Sequence, residues 1–249
     1  MTPTFDERAE WFDDHYRTTR GMVRRELVLE RLRAAIPPPP ASVLDVGGGS
    51  GAIAIPLAEL GYRVTLLDPS AGMRAVAEQR AAEGGVRLDV REGDVDSLPD
   101  IAPGSFEVLC CHAVLLYLDD PPSALRAMRA VATQGAVLSL LEKNRDALAV
   151  RPGFNGDYEE ALRLLDDPVA SGNLGIPNRS YPIDRWRAWL EETGWRVESW
   201  AGVRFFSDLA SDELGADAYA SLLELERSAG RRESYRSLAR LVHLTATAI

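Results

Sequence analysis

The stretch "VLDVGGGSGAIAIPLAELGYRVTLLDPSAGM" occupies residues 43–73. An apolar run ends at Asp45–Val46, a cluster of glycines follows, then a helix-like segment, then a second apolar run that ends at Asp68. A strand, a tight glycine turn and a helix start bring bare backbone and free N–H groups to one edge of a parallel sheet. An acid at the end of the second strand can accept both hydrogen bonds of a ribose diol. The segment therefore reads as the grip on a nucleotide-like ligand.

Outward from this segment the elements alternate. Strands are expected over Ser42–Asp45, Arg63–Asp68, Val86–Val90, Phe106–Cys111, Ala136–Leu141, Trp195–Phe206 and Arg240–Ala248. Helices are expected over Ala52–Leu60, Ala71–Glu83, Pro122–Ala132, Tyr158–Leu165, Asp184–Glu192 and Asp217–Ser228. Such alternation predicts an α/β fold with a parallel sheet covered on both faces. Residues 5–35 read as helical, with Thr18 and Thr19 as candidate caps. Pro37–Pro40 make a stiff connector. The expected organisation is an N-terminal helical arm over 1–40 and a domain over 41–249. Its segment 145–181 reads as an insertion or lid after the fifth strand.

Composition narrows the class. Hydrophobic content of 46% and charged content of 27% suit a globular protein, and no run is long enough to span a membrane. The acidic start does not read as a signal peptide. Cys110 and Cys111 are adjacent in an apolar run and read as core residues, which fits a cytoplasmic setting. No metal-ligand spacing is present. The net charge of −10 works against a broad nucleic-acid footprint without excluding a local basic patch. Every basic residue except Lys143 is arginine.

The ligand is chosen by its neighbours, because Gly47-x-Gly49-x-x-Ala52 also satisfies the dinucleotide fingerprint. Asp45, two residues before Gly47, suits a ligand with an ammonium group and sits badly beside a pyrophosphate; its structural alternative is a cap for the turn or the next helix. Asp68 suits a ribose. Met73 suits an adenine face or, alternatively, the core. Asp94, in "REGDV", suits the adenine amino group with the Val95 N–H beside it. Acids after three successive strands favour S-adenosylmethionine, which carries an ammonium, a sulfonium and an exocyclic amine but no phosphate. A nucleotide-binding module without catalysis and an NAD-dependent dehydrogenase are the remote alternatives.

"LDVGGGSG", "LLDPS" and "FEVLCCHAVLLYLDDP" resemble motifs of the class I S-adenosylmethionine-dependent methyltransferases. The resemblance implies a Rossmann-like sheet of seven strands, the last antiparallel. Further stretches are similar to a narrower group, the CmoM-like (SmtA-like) tRNA 5-carboxymethoxyuridine methyltransferases: "YRTTRGMVRREL" at 16–27, "HAVLLYLDDP" at 112–121, "WLEETGW" at 189–195, "GVRFFSDL" at 202–209, "YASLLELE" at 219–226 and "LVHLTA" at 241–246. That group esterifies the carboxylate of a modified uridine at the tRNA wobble position. The similarity implies that Arg24 reaches the methionine carboxylate and that Gly47, Gly48 and Gly49 line the donor. It implies further that Asp68 holds the ribose, Asp94 and Val95 the adenine end, and that His112 also touches the donor.

A planar guanidinium meets a carboxylate bidentately, which suits Arg24. Arg204, in "GVRFF" near the end of the sixth strand, is the expected holder of the acceptor carboxylate, its alternative an ion-paired surface role, with Tyr16 and Asn144 as further lining residues. No catalytic base is expected. The chain departs from the group's pattern at "SGNLGIPNRS" (171–180), which lacks a lysine-rich run, and at Glu142–Lys143. The alternative acceptor is a small-molecule acid or metabolite.

Overall fold

A computed structural model of the chain describes residues 15–101, 104–167, 169–171 and 177–249. Residues 5–14 of the expected N-terminal helix and residues 172–176 of the divergent stretch lie outside the described residues. In chain order the elements are α1 (Thr19–Ala35), β1 (Ser42–Val46), α2 (Ala54–Glu59), β2 (Arg63–Asp68), α3 (Ala71–Glu83), β3 (Asp89–Glu92), β4 (Phe106–His112), α4 (Pro121–Val131) and β5 (Ala132–Lys143). They continue with α5 (Val150–Phe154), α6 (Tyr158–Asp166), β6 (Val169–Ser171), β7 (Pro177–Arg179), α7 (Ile183–Glu192), β8 (Trp195–Val203), α8 (Ala216–Ala229), α9 (Glu233–Arg236) and β9 (Leu241–Ala248).

Seven of the strands form one sheet in the order β3-β2-β1-β4-β5-β9-β8. Strands β1 to β5 pair in parallel, and β9 runs antiparallel to both β5 and β8. The expected seven-stranded α/β architecture is therefore observed, last strand reversed. The strand order turns back between β1 and β4, and ligands of open α/β sheets bind outside the carboxyl ends of the strands at such a point.

Helices cover both faces because the central strands present apolar side chains to each of them. On one face Trp186 and Leu190 of α7 pack with Leu125 and Met128 of α4 over Leu138 and Leu244. On the other, Val23, Leu27 and Leu32 of α1 pack with Leu57 of α2 over Val43, Val108 and Leu141. Cys110 and Cys111 are buried and unpaired, as expected of core residues. Caps set the helix starts: the Thr18 side chain accepts the Gly21 N–H, Ser70 that of Met73 and Asp120 that of Ser123.

Three strand boundaries differ from expectation by three residues or more. Strand β3 begins at Asp89 rather than Val86; it is the exposed edge of the sheet, so little apolar patterning marks it. Strand β5 extends from Ala132 to Lys143, through a polar stretch that alternation does not flag. Strand β8 stops at Val203, where Arg204 takes a left-handed φ of 66° and turns the chain out of the sheet. The 145–181 segment contains α5, α6 and the small β6–β7 hairpin.

Candidate active site

A cavity of about 630 Å³ opens at the carboxyl ends of β1, β2 and β4. The glycine turn forms its floor. Gly47 donates its N–H to Leu67 O at 2.7 Å, tying the turn to the end of β2. With φ of 66° and 55°, Gly47 and Gly49 sit where L side chains are strained. A Cβ on Gly48 would lie 2.7 Å from Leu66 and 2.9 Å from Asp45 Oδ2, so only glycine lets the turn pack this closely on the residues beneath it.

Asp68 lines this cavity and organises the turn: Oδ2 accepts the Gly49 N–H at 2.8 Å and Oδ1 the Ser70 N–H at 2.9 Å. Met73, on the first turn of α3, and Val95 are nearly buried and also face the cavity. Asp94 lines it while its Oδ1 caps the 3-10 turn over Val95–Asp100, accepting the Asp96 N–H at 3.0 Å.

Asp45 lies elsewhere than expected. It is buried under the turn, beside Gly48, and is not among the residues that line the cavity. The Ala54 N–H at the start of α2 favours its charged form. Burial, and then repulsion from Asp68, push its pKa up to about 7. The sequence alone cannot distinguish a strand-end acid that faces a ligand from one that caps the next helix. The placement still bears on the ligand: the helix start that holds a pyrophosphate in dinucleotide folds is occupied here by a carboxylate.

The opposite wall is basic. Arg20 and Arg24 come from α1, Lys143 from the end of β5, Arg151 from α5, Arg204 from the end of β8 and Arg240 from just before β9. Tyr16 lines the cavity too, and the Arg24 guanidinium lies 5.5 Å from its ring centre. His15 sits among these cations; burial, then Arg204, Arg24 and Arg20, lower its pKa to about 4. Lys143 donates to Asn178 Oδ1 at 2.7 Å, and burial with the nearby Arg240 lowers its pKa to about 8. Arg204 is 8% exposed, pairs with Asp208, and leaves its buried Nε without a hydrogen-bond partner.

Asn144, by contrast, does not reach the cavity. Its amide donates to Ser237 O and Ala239 O at 2.8 and 3.0 Å, and its Oδ1 accepts the Asp146 N–H. It ties the end of β5 to the turn before β9. Arg151 and Arg240 escaped the sequence reading because one arginine among many carries no signal, whereas Lys143, the single lysine, stood out as a departure from the group's pattern. Buried Glu142 accepts the N–H groups of Val114 and Leu115 at 3.2 and 2.9 Å, fixing the loop after β4.

The residues fit a sulfonium nucleoside. A glycine turn and a strand-end acid suit an uncharged ribose, and the acids Asp68, Asp94 and Asp96 on the same side suit a cationic centre. Among the described residues no cluster of ligating side chains suits a metal ion.

Comparison with known proteins agrees with this geometry. Residues 44–140 match the model of a methyltransferase domain family. The chain is 35% identical over 97% of its length to the tRNA 5-carboxymethoxyuridine methyltransferase of Escherichia coli K12, covering 95% of that protein. It is 32% identical over 74% of its length to a ubiquinone biosynthesis O-methyltransferase of Xanthomonas euvesicatoria, 72% of which is covered. Among solved structures, an S-adenosylmethionine-dependent methyltransferase of Thermotoga maritima superposes with a TM-score of 0.63 at 16% identity, with 98% of each chain covered.

Proposed function

Because the chain belongs to the S-adenosylmethionine-dependent methyltransferase family that includes tRNA 5-carboxymethoxyuridine methyltransferase, we propose that it makes a methyl ester on the carboxylate of 5-carboxymethoxyuridine at the wobble position of tRNA. The observation that carries this reading is the charge division of one cavity: acids line the β2–β3 side and arginines with Lys143 line the side formed by α1, β5 and β8.

On this reading Gly47, Gly48 and Gly49 let the donor approach the backbone, and Asp68 accepts from its ribose. Asp94 and the Val95 N–H meet the adenine edge while Met73 packs against its face. Arg24 and His112 face the methionine end. Asp45, beneath the turn, adds negative potential under the cationic region rather than a direct contact. When bound, S-adenosylmethionine supplies an electrophilic methyl group on its sulfonium.

The remaining work falls to the chain. A carboxylate is ionised at neutral pH, so no base is needed to prepare it. Arg204, with its left-handed backbone and its buried guanidinium, holds one acceptor oxygen, and Lys143 and Tyr16 complete that wall. Alignment of the oxygen with the methyl–sulfur axis and exclusion of water then lower the barrier, since proximity and orientation alone are worth several kcal/mol. The basic rim of Arg20, Arg151 and Arg240 meets the acidic remainder of the substrate.

A small-molecule acid is the alternative acceptor, favoured by the net charge of −10. One experiment separates the two readings. The chain is incubated with methyl-labelled donor, total tRNA and a panel of carboxylic acids. Label on tRNA that mild alkali releases supports the ester on RNA. Label confined to an acid supports the alternative, and alkali-stable label contradicts both.

A further inference from the structure

His112 ends β4, Ser139 lies in β5 and His243 in β9. His112 and His243 both stand in register with Leu141, on either side of β5. Ser139 is two residues before Leu141 and therefore shares its face of the sheet. Its short side chain leaves room for the two rings to meet across β5, with centroids 5.9 Å apart.

The three groups form a hydrogen-bonded chain. His112 Nε2 and Ser139 Oγ are 2.8 Å apart, and Ser139 Oγ and His243 Nε2 are 2.8 Å apart. Arg31 Nε on α1 donates to His243 Nδ1 at 3.3 Å, and Arg31 Nη2 donates to Ser199 Oγ at 3.1 Å. Ser139 and His243 are wholly buried.

The direction of every proton follows from the first donor. A guanidinium only donates, so His243 Nδ1 accepts. A neutral imidazole that accepts at one nitrogen carries its hydrogen on the other, so His243 Nε2–H donates to Ser139. The hydroxyl has one hydrogen and gives it to His112 Nε2. The hydrogen of His112 is thereby placed on Nδ1. Both rings are held neutral: burial, then Arg24, lower His112 to about 3, and burial, then His112 and Arg31, take His243 well below its usual range.

His112 lines the cavity, and its buried Nδ1 has no hydrogen-bond partner among the described residues. We propose that Arg31, His243 and Ser139 are positioning residues that lock His112 as an Nδ1–H donor for a carboxylate oxygen of a molecule bound in the cavity. Arg24, a cation on the same cavity, adds charge complementarity for that oxygen. The chain also leaves His112 with no free lone pair, so it takes no proton from the acceptor. This inference rests on the reading of methyl transfer to an already ionised group. The carboxylate belongs either to the methionine end of the donor or to the acceptor.

The test begins without any ligand. Nitrogen-15 NMR of the histidine side chains in the free protein should show His112 protonated at Nδ1 and bare at Nε2. Ser139→Ala and His243→Leu should give a mixture of tautomers, and His243→Gln, which keeps both an acceptor for Arg31 and a donor for Ser139, should restore the single form. Calorimetry and kinetics then identify the carboxylate. Affinity should fall about two- to tenfold, the reciprocal of the fraction left in the competent form. A fall confined to donor affinity assigns the oxygen to the donor, and a rise confined to acceptor KM assigns it to the acceptor. A wild-type His112 protonated at Nε2 would overturn the proposal. So would variants with a mixed tautomer and unchanged donor and acceptor constants. Absence of methyl transfer to any carboxylate would instead sink the functional reading and leave the tautomer result standing.

Discussion

The carboxylate of Glu226 accepts both the backbone N–H and the hydroxyl of Ser207 at 2.6 Å through one oxygen, while its other oxygen accepts the Phe205 N–H at 3.0 Å. Three donors converge on one buried anion from α8, so the turn after β8 has a single arrangement. Arg204 begins that turn, and its carbonyl accepts the Arg240 N–H at 2.9 Å. Two arginines of the basic wall are thus held by a residue that lies outside the cavity.

Glu226→Gln replaces one acceptor oxygen with an amide that points hydrogens at a donor. Leaving a buried donor unsatisfied costs about 1–3 kcal/mol. Acceptor KM should rise by roughly tenfold, with donor affinity measured by calorimetry unchanged. Equal loss of both would mean that the turn supports the whole cavity rather than the acceptor wall.

Arg204→Met keeps the length of the side chain and removes its charge. Loss of a charge-assisted contact worth about 1.5–3 kcal/mol should lower kcat/KM for the acceptor by roughly 10–100-fold. Donor affinity should again hold. Steady-state kinetics with the acceptor varied at saturating donor is the check.

Donor binding should depend on pH through Asp45. In the free protein its pKa is raised to about 7 by burial and by Asp68. A cationic ligand favours the ionised carboxyl and lowers that pKa, so binding below pH 7 releases a proton and affinity rises as pH passes through about 7. Lowering that pKa by one unit on binding corresponds to a tenfold gain in affinity. Calorimetry across pH 6 to 8 should show this rise, and Asp45→Asn should flatten it.

Stability should carry the opposite slope through Glu142. Burial raises this carboxyl to about 8 despite the N–H groups of Leu115 and Val114 that favour its charge. A carboxyl raised above its unfolded value adds stability that is complete below about pH 4 and lost as pH rises through about 8. Glu142→Gln keeps the acceptor oxygen without the ionisation. Its melting temperature should match the parent near pH 5 and exceed it near pH 9, by roughly 2–4 °C for each kcal/mol recovered.

The sheet was legible in the sequence wherever burial on both faces made a run apolar, as in Val43–Val46 and Phe106–Cys111. It was less legible at β3, where an exposed edge has no such pattern. The donor side of the site was legible because its residues stand at fixed offsets from strand ends: Gly47, Asp68, Met73, Asp94 and Val95 all reach one cavity. Asp45 reads the same whether it faces a ligand or caps α2. The basic wall was partly hidden, since Arg151 and Arg240 are brought beside Arg20, Arg24 and Arg204 only by the folded topology.

The most direct test of this divided cavity is a crystal structure with S-adenosylhomocysteine and a carboxymethoxy-nucleoside bound together. The ribose of the homocysteine compound should sit against Asp68, and the acceptor carboxylate against Arg204 and Lys143 with its oxygen facing the sulfur. Either molecule in the other's place, or an acceptor carboxylate turned away from the arginines, would contradict the account.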